Sequence, residues 1–205
     1  MKKRLSLIIN ISIIILEIIG FIITLTKNGR IGIEYYTEES NILILITSTI
    51  FIIYLLLNKK IPYYLKLLKY ISTICLTVTF LVVILILAPM YNFNYGYLLF
   101  RNELLYHHLL CPILSIITFI YFDDIKNYTK LDNLLASLVT LIYGIVLIIL
   151  NILKIVDGPY PFLQVYKQPA IVSIIWAVTI LSITYLIALI LRILNNKNNL
   201  DFSSN

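Results

Sequence analysis

Residues 5–26 read LSLIINISIIILEIIGFIITLT, and this run decides the fold. It carries one charged side chain, Glu17, and as a helix rising 1.5 Å per residue it is long enough to cross ~30 Å of hydrocarbon. Its many β-branched residues favour strands in water. In lipid the argument reverses, because a strand leaves backbone groups unpaired and a helix closes them internally. Met1-Lys2-Lys3-Arg4 ahead of the run looks like the start of a signal peptide. The run is too long for the apolar part of one, and no small-residue cleavage site follows, so it reads as a retained span.

Five more runs of this kind follow, at 40–57, 66–88, 104–122, 131–152 and 169–194. Of the 205 residues, 60% are hydrophobic and 13% are charged, against about 45–50% and 25% for a soluble domain. The mean hydropathy of +0.96 agrees. No water-soluble fold of this size hides so much Ile and Leu. The ~10-residue alternation of a membrane β-barrel does not occur, nor does a sequence repeat. The expectation is an all-α polytopic bundle of six transmembrane helices, one domain over 1–194, with a polar, disordered tail over 195–205.

The net charge of +6 does not point to nucleic acid, because the lysines and arginines sit in short clusters between apolar runs. The N-terminus, the 58–69 and 123–130 loops and the tail hold 11 of the 16, Lys69 among them. The other loops hold Lys27, Arg30, Arg101, Lys154 and Lys167. The positive-inside rule then places both termini in the cytoplasm of a cell-membrane protein. The 16 tyrosines, such as Tyr35, Tyr36, Tyr63, Tyr64, Tyr95 and Tyr97, crowd the span ends and read as interfacial belts. Cys75 and Cys111 lie in apolar runs and read as small core residues, with neither a disulfide framework nor metal-ligand spacing.

Polar chemistry collects on the other face. Glu34, Glu38, Glu39, Glu103 and Asp157 fall there, and His107 and His108 lie about one turn inside the fourth span. Ser40 or Thr37 is a candidate cap for the second span, with Glu38 and Glu39 favourable in its first turn. A histidine inside an apolar span is costly and faces the bundle. One reading anchors one histidine at the interface and satisfies the other in the core; the other makes one a general base. Glu103 and His107 are four apart, which predicts a shared face and a hydrogen bond. Glu17 is expected to face the bundle, protonated or paired, either as a structural hydrogen-bond donor or in a chemical role. The run Asp157-Gly158-Pro159-Tyr160-Pro161-Phe162 reads as a rigid turn, either a plain connection or a cover over that mouth. A metal site from Glu103, His107, His108 and Asp157 has only one pair at ligand-like spacing, so no metal or cofactor is expected.

Three segments together carry a family likeness. They are Tyr35-Tyr36-Thr37-Glu38-Glu39-Ser40-Asn41, His107-His108-Leu109-Leu110-Cys111-Pro112 and Gly158-Pro159-Tyr160-Pro161-Phe162-Leu163. In order and spacing the chain resembles the androgen-induced-protein family of multi-pass membrane proteins, and is most similar to its bacterial members. The animal members are threonine hydrolases that cleave lipids in which one fatty acid esterifies a hydroxyl on another. The resemblance implies Thr37 as nucleophile and His108, or else His107, as base. It also implies a lipid ester as substrate, entering laterally. Glu38 and Glu39 depart from the animal motif. Glu103, Asp157, Glu17, Ser40 and Asn41 are the expected supporting or substrate-binding residues. The competing reading is a non-enzymatic membrane protein, whether a small transporter, a lipid-binding module or a complex subunit, in which Glu17 and the histidines bind a proton or an organic cation. Inverted repeats and obviously broken helices, which many transporters have, are not evident. Membrane lipids are the expected partners.

Overall fold

A computed structural model describes residues 2–123 and 128–201, the side chains of 198–201 excepted. The described residues form seven helices: α1 (Lys2–Asn28), α2 (Tyr36–Leu56), α3 (Tyr63–Met90), the short α4 (Tyr95–Leu99), α5 (Leu105–Phe122), α6 (Lys130–Ile152) and α7 (Ala170–Asp201). All but α4 are long and apolar enough to span a bilayer. The chain is a multi-pass integral membrane protein with an all-α fold. Six crossings return the C-terminus to the end of the bundle where the N-terminus lies.

Every expected run is a helix, with ends within four residues of the expected positions except the last. There α7 continues to Asp201, seven residues beyond 194. Asn195 explains part of the extension. It is buried, and its Nδ2 donates to the Phe119 carbonyl at 2.6 Å, which docks the helix end onto α5. Residues 202–205 of the expected tail lie outside the described residues, as does Lys126.

α3 is the central helix. Its most apolar window is 67% buried, against 22–39% for the other five spans. It packs against α2, α5, α6 and α7, and α1 closes the group against α2 and α5. Phe51, Tyr70, Ile74 and Phe119 form part of an apolar core around α3, and since helices in lipid have no strong hydrophobic driving force between them, small and polar side chains share the interior contacts. α1 illustrates this. Ser6, Asn10, Ile13, Glu17, Gly20 and Thr24 form its buried stripe, while Ile8, Ile15 and Ile22, each more than half exposed, face outward.

Two features shape the end where α2 begins. First, no side chain of its own segment caps α2. The expected cappers Ser40 and Thr37 lie inside the helix. Instead the Tyr143 hydroxyl of α6 accepts the Tyr36 N–H at 3.0 Å, and the Tyr160 hydroxyl accepts the Thr37 N–H at 3.4 Å. Unpaired N–H groups of a first turn need such partners. Second, α3 and α5 each open into a wide π turn ahead of a proline, at Val83–Leu87 before Pro89 and at Leu105–Leu110 before Pro112. A proline in a helix lacks an N–H and crowds the preceding turn, and widening that turn relieves both.

Candidate functional site

Thr37 stands in the first turn of α2, and its Oγ1 lies 3.4 Å from Nε2 of His108 on α5. The other ring nitrogen, Nδ1, is 2.8 Å from the Leu98 carbonyl. A carbonyl only accepts, so Nδ1 carries a proton, and in its neutral form the ring presents a bare Nε2 to the threonine. Local sequence builds this arrangement. Asn94 caps α4, its Oδ1 accepting the Tyr97 N–H at 3.0 Å, and α4 carries Leu98 to the imidazole. The π turn of α5 sets the angle of His108. The Tyr160 hydroxyl lies 3.5 Å from Thr37 Oγ1. Burial pushes that hydroxyl up to about 12, so it is a neutral donor at ordinary pH.

His107 turns away from the threonine into a separate carboxylate cluster. Its Nε2 lies 3.5 Å from Glu17 and its Nδ1 lies 3.9 Å from Glu38. Phe21 packs on the ring, with centroids 4.7 Å apart. Glu17 and His107 are both fully buried. The expected Glu103–His107 pair does not form through side chains. The Glu103 carbonyl accepts the His107 N–H at 3.1 Å, but the Glu103 side chain turns toward α1. Its Oε1 instead takes the Lys27 ammonium at 2.6 Å. Asp157 is exposed, and it is Tyr160 of the same loop that reaches Thr37.

Ser40 and Asn41 hold the threonine's backbone. Ser40 Oγ donates to the Thr37 carbonyl at 2.9 Å and Asn41 Nδ2 at 2.7 Å. Asn41 Nδ2 also lies 3.4 Å from the His107 carbonyl, linking α2 to α5. Among the described residues, no group of three or more His, Cys, Asp or Glu side chains is placed to hold a metal ion.

Beside Thr37 runs a cleft of about 110 Å³, bounded by α3, α6, α7 and the loop carrying Tyr160 and Phe162. Its walls are almost wholly apolar, and it includes Ile145, which is 48% exposed on the face of α6 that meets lipid. The cleft therefore joins the threonine to the bilayer side of the bundle.

No family model matches the chain, and no curated protein or solved structure matches it.

Two features escape a reading of the sequence. Tyr160 falls in the quoted Gly158-Pro159-Tyr160 segment, but an interfacial tyrosine looks the same in sequence as one aimed at a threonine. Tyr36 likewise reads as belt and is buried. The second feature lies at the opposite end. Lys69, counted with the loop lysines, is fully buried in α3. Its ammonium donates to Asn10 Oδ1 at 2.6 Å and Ser48 Oγ at 3.2 Å, and lies 3.9 Å from Asp123. Asp123 accepts from Ser6 at 2.6 Å and Thr118 at 3.2 Å. Burial pushes the Asp123 carboxyl above its ordinary value. The Lys69 charge and hydrogen bonds from Ser6, Thr118 and Asn10 pull against that shift.

Proposed function

We propose that the protein is a membrane-embedded lipid hydrolase that cleaves fatty-acid esters, with Thr37 as nucleophile and His108 as base. One observation carries this reading: the Thr37 hydroxyl faces an unprotonated imidazole nitrogen whose tautomer is set by the Leu98 carbonyl. A threonine hydroxyl is a weak nucleophile until a neighbouring base takes its proton. The 3.4 Å separation suits a site without substrate, where such contacts are long. The family resemblance at Thr37, His107-His108 and Gly158–Leu163 supports the same assignment.

In the proposed reaction the ester's acyl chain lies in the apolar cleft. Thr37 Oγ attacks the carbonyl carbon as its proton passes to His108 Nε2. The Tyr160 hydroxyl is placed to donate to the developing oxyanion. Collapse breaks the bond to the leaving alcohol oxygen, which takes the proton back from His108, and leaves an ester on Thr37. Water then adds to the acyl carbon as its proton passes to His108, the bond to Thr37 Oγ breaks, Thr37 takes that proton back, and the fatty acid leaves. Ser40 and Asn41 orient Thr37, and the cluster of Glu17, His107 and Glu38 buttresses the α1–α5 contact behind His108. By the positive-inside rule this end faces away from the cytoplasm of a cell membrane, so substrate enters from the outer leaflet.

The test is turnover of a fatty-acid ester by purified variants, alongside labelling with a lipophilic fluorophosphonate. Thr37→Ala and His108→Ala each lose activity by a factor of at least about 100, and Thr37→Ala loses the label, with expression and Tm unchanged. Wild-type turnover in Thr37→Ala overturns the mechanism. A second reading, a carrier for a proton or small organic cation, draws on Glu17 and His107 buried 3.5 Å apart. It predicts that Glu17→Gln abolishes uptake into proteoliposomes while Thr37→Ala does not.

A further inference from the structure

The connection between α3 and α5 joins the ends of two spans and so runs along one boundary of the membrane. Five of its side chains are aromatic: Tyr91, Phe93, Tyr95, Tyr97 and Phe100. All five are exposed, Phe93 and Phe100 most, at 61% each. Tyr91 lies against Tyr97, ring centroids 6.3 Å apart, and Phe93 beside Tyr95 at 6.4 Å, so the rings form a shared surface. Residues 90–102 hold no carboxylate, and their one cation, Arg101, lies over the Tyr97 ring at 5.0 Å. Exposed rings with hydroxyl tips, beside a guanidinium, are the composition that settles at the headgroup level. The occupant that this position and composition select is the bilayer interface.

The inner face of the same segment meets the Thr37 site. Leu98 and Leu99 of α4 are buried with Val83, Leu87 and Ala88 of α3, and Tyr160 and Phe162 pack on this cluster. Val83, Leu87, Tyr160 and Phe162 also line the apolar cleft. The Leu98 carbonyl holds His108 Nδ1 at 2.8 Å. One short helix thus backs the cleft wall and sets the tautomer of the base. Its ends are turns in which Asn92, Phe93 and Asn102 take left-handed φ of 53°, 57° and 47°. Asparagine tolerates that conformation, whereas phenylalanine adopts it at a cost. The Phe93 amide donates to the Ala88 carbonyl at 2.7 Å, which fixes the turn, yet the ring gains little burial within the bundle. Burying it in the apolar edge of a bilayer offsets the strain.

We propose that residues 90–101 form a strap seated in the bilayer interface, whose exposed aromatic surface docks on lipid and so holds the Leu98 carbonyl against His108. The seating stands on this surface alone, and its consequence for catalysis rests on the hydrolase reading. Leu98 is then a positioning residue that acts through His108. If the strap lifts, the carbonyl withdraws, the imidazole proton is free to move to Nε2, and the threonine loses its acceptor.

The experiment uses the full chain in phosphatidylcholine bilayers. Trp176 is the only tryptophan, so in a Trp176→Phe background Phe93→Trp and, separately, Phe100→Trp report alone. Phosphatidylcholine brominated near the top of its acyl chains is expected to quench either reporter more than lipid brominated near the chain ends, and more than aqueous iodide. The tautomer is read by solid-state NMR of the imidazole nitrogens. The chain has two histidines, and His107→Asn assigns the His108 signals. The neutral His108 ring is expected to carry its proton on Nδ1 in the wild type and in the double variant Phe93→Trp, Phe100→Trp. In Phe93→Ser, Phe100→Ser a share of it moves to Nε2. With an ester substrate the serine variant is expected to lose kcat roughly 10-fold with KM little changed, and the tryptophan variant to keep both. Dominant quenching by iodide overturns the seating. So does quenching by neither agent, which would mean that a second copy of the chain covers the rings. An unshifted tautomer in the serine variant overturns the coupling. A wild type inert toward esters sinks the hydrolase reading alone, because quenching and tautomer are read without an ester.

Discussion

A lysine ammonium inside a helix bundle has to be matched by oxygen, because hydrocarbon offers nothing in exchange for water. Lys69 meets that demand with Asn10, Ser48 and Asp123 drawn from three other segments. Breaking a buried pair from one side is costlier than removing both charges, since it strands the survivor. Lys69→Met or Asp123→Leu alone is therefore expected to lower stability by about 3–5 kcal/mol, and the double variant by less than the sum. Tm values of the single and double variants in detergent form the cycle that checks this. At the same scale the two adjacent histidines diverge. His108 meets Thr37 and a backbone carbonyl, whereas His107 meets two carboxylates. Sequence leaves that choice open, because neighbouring positions on a turn point in different directions and only the packed partners distinguish them.

At the scale of elements, α1 and α5 approach closely at Gly20. A Cβ there would sit 2.7 Å from Cδ2 of His107 and closer still to Nε2. Gly20→Ala is expected to push the imidazole off Glu17 and to lower Tm, although alanine is the better helix former. An unchanged Tm would show that the helices can slide apart at no cost. The connection before α7 is similarly tight at Gly158, where a Cβ would stand 2.6 Å from the Leu163 carbonyl. That contact folds the loop back and brings Tyr160 over Thr37. Gly144 differs. It lines the cleft, and nothing lies within 4 Å of where its Cβ would be. Gly144→Leu should fold well and fill part of the cleft. Turnover of long-chain esters is expected to fall several-fold more than that of short-chain ones, measured as kcat/KM across chain lengths.

For the whole molecule the positive-inside rule gives a direction that labelling can check. Cys75 and Cys111 are buried, so a single cysteine placed at an exposed connection reports alone to a membrane-impermeant maleimide. In intact cells Asn92→Cys, in the turn between α3 and α4, is expected to label, and Lys59→Cys, between α2 and α3, only after permeabilisation. The reverse pattern would place the Thr37 site on the cytoplasmic side. The polar groups of the bundle also divide by place: Thr37, His108 and Tyr160 meet at one end, and the Lys69–Asp123 pair lies at the other. The helices that join them bury small and polar side chains beside an apolar core that runs through Phe51, Tyr70, Ile74 and Phe119.

Sequence alone determined the six spans, the all-α class and the region in which polar chemistry gathers. Hydrocarbon thickness and the cost of unpaired backbone act on every segment separately, so a run such as residues 5–26 can be judged without knowing its neighbours. It also singled out His107, His108 and Glu17 as polar groups with a reason to face inward, and Thr37 as a candidate cap and through the family resemblance. Tertiary structure decided their partners. Glu103 joined Lys27, Asp157 stayed exposed, Tyr160 turned from belt to a contact with Thr37, and Lys69 passed from topology signal to buried pair. Such choices depend on which helices adjoin and on turns widened ahead of Pro89 and Pro112. Both are properties of the assembled bundle and of no single segment.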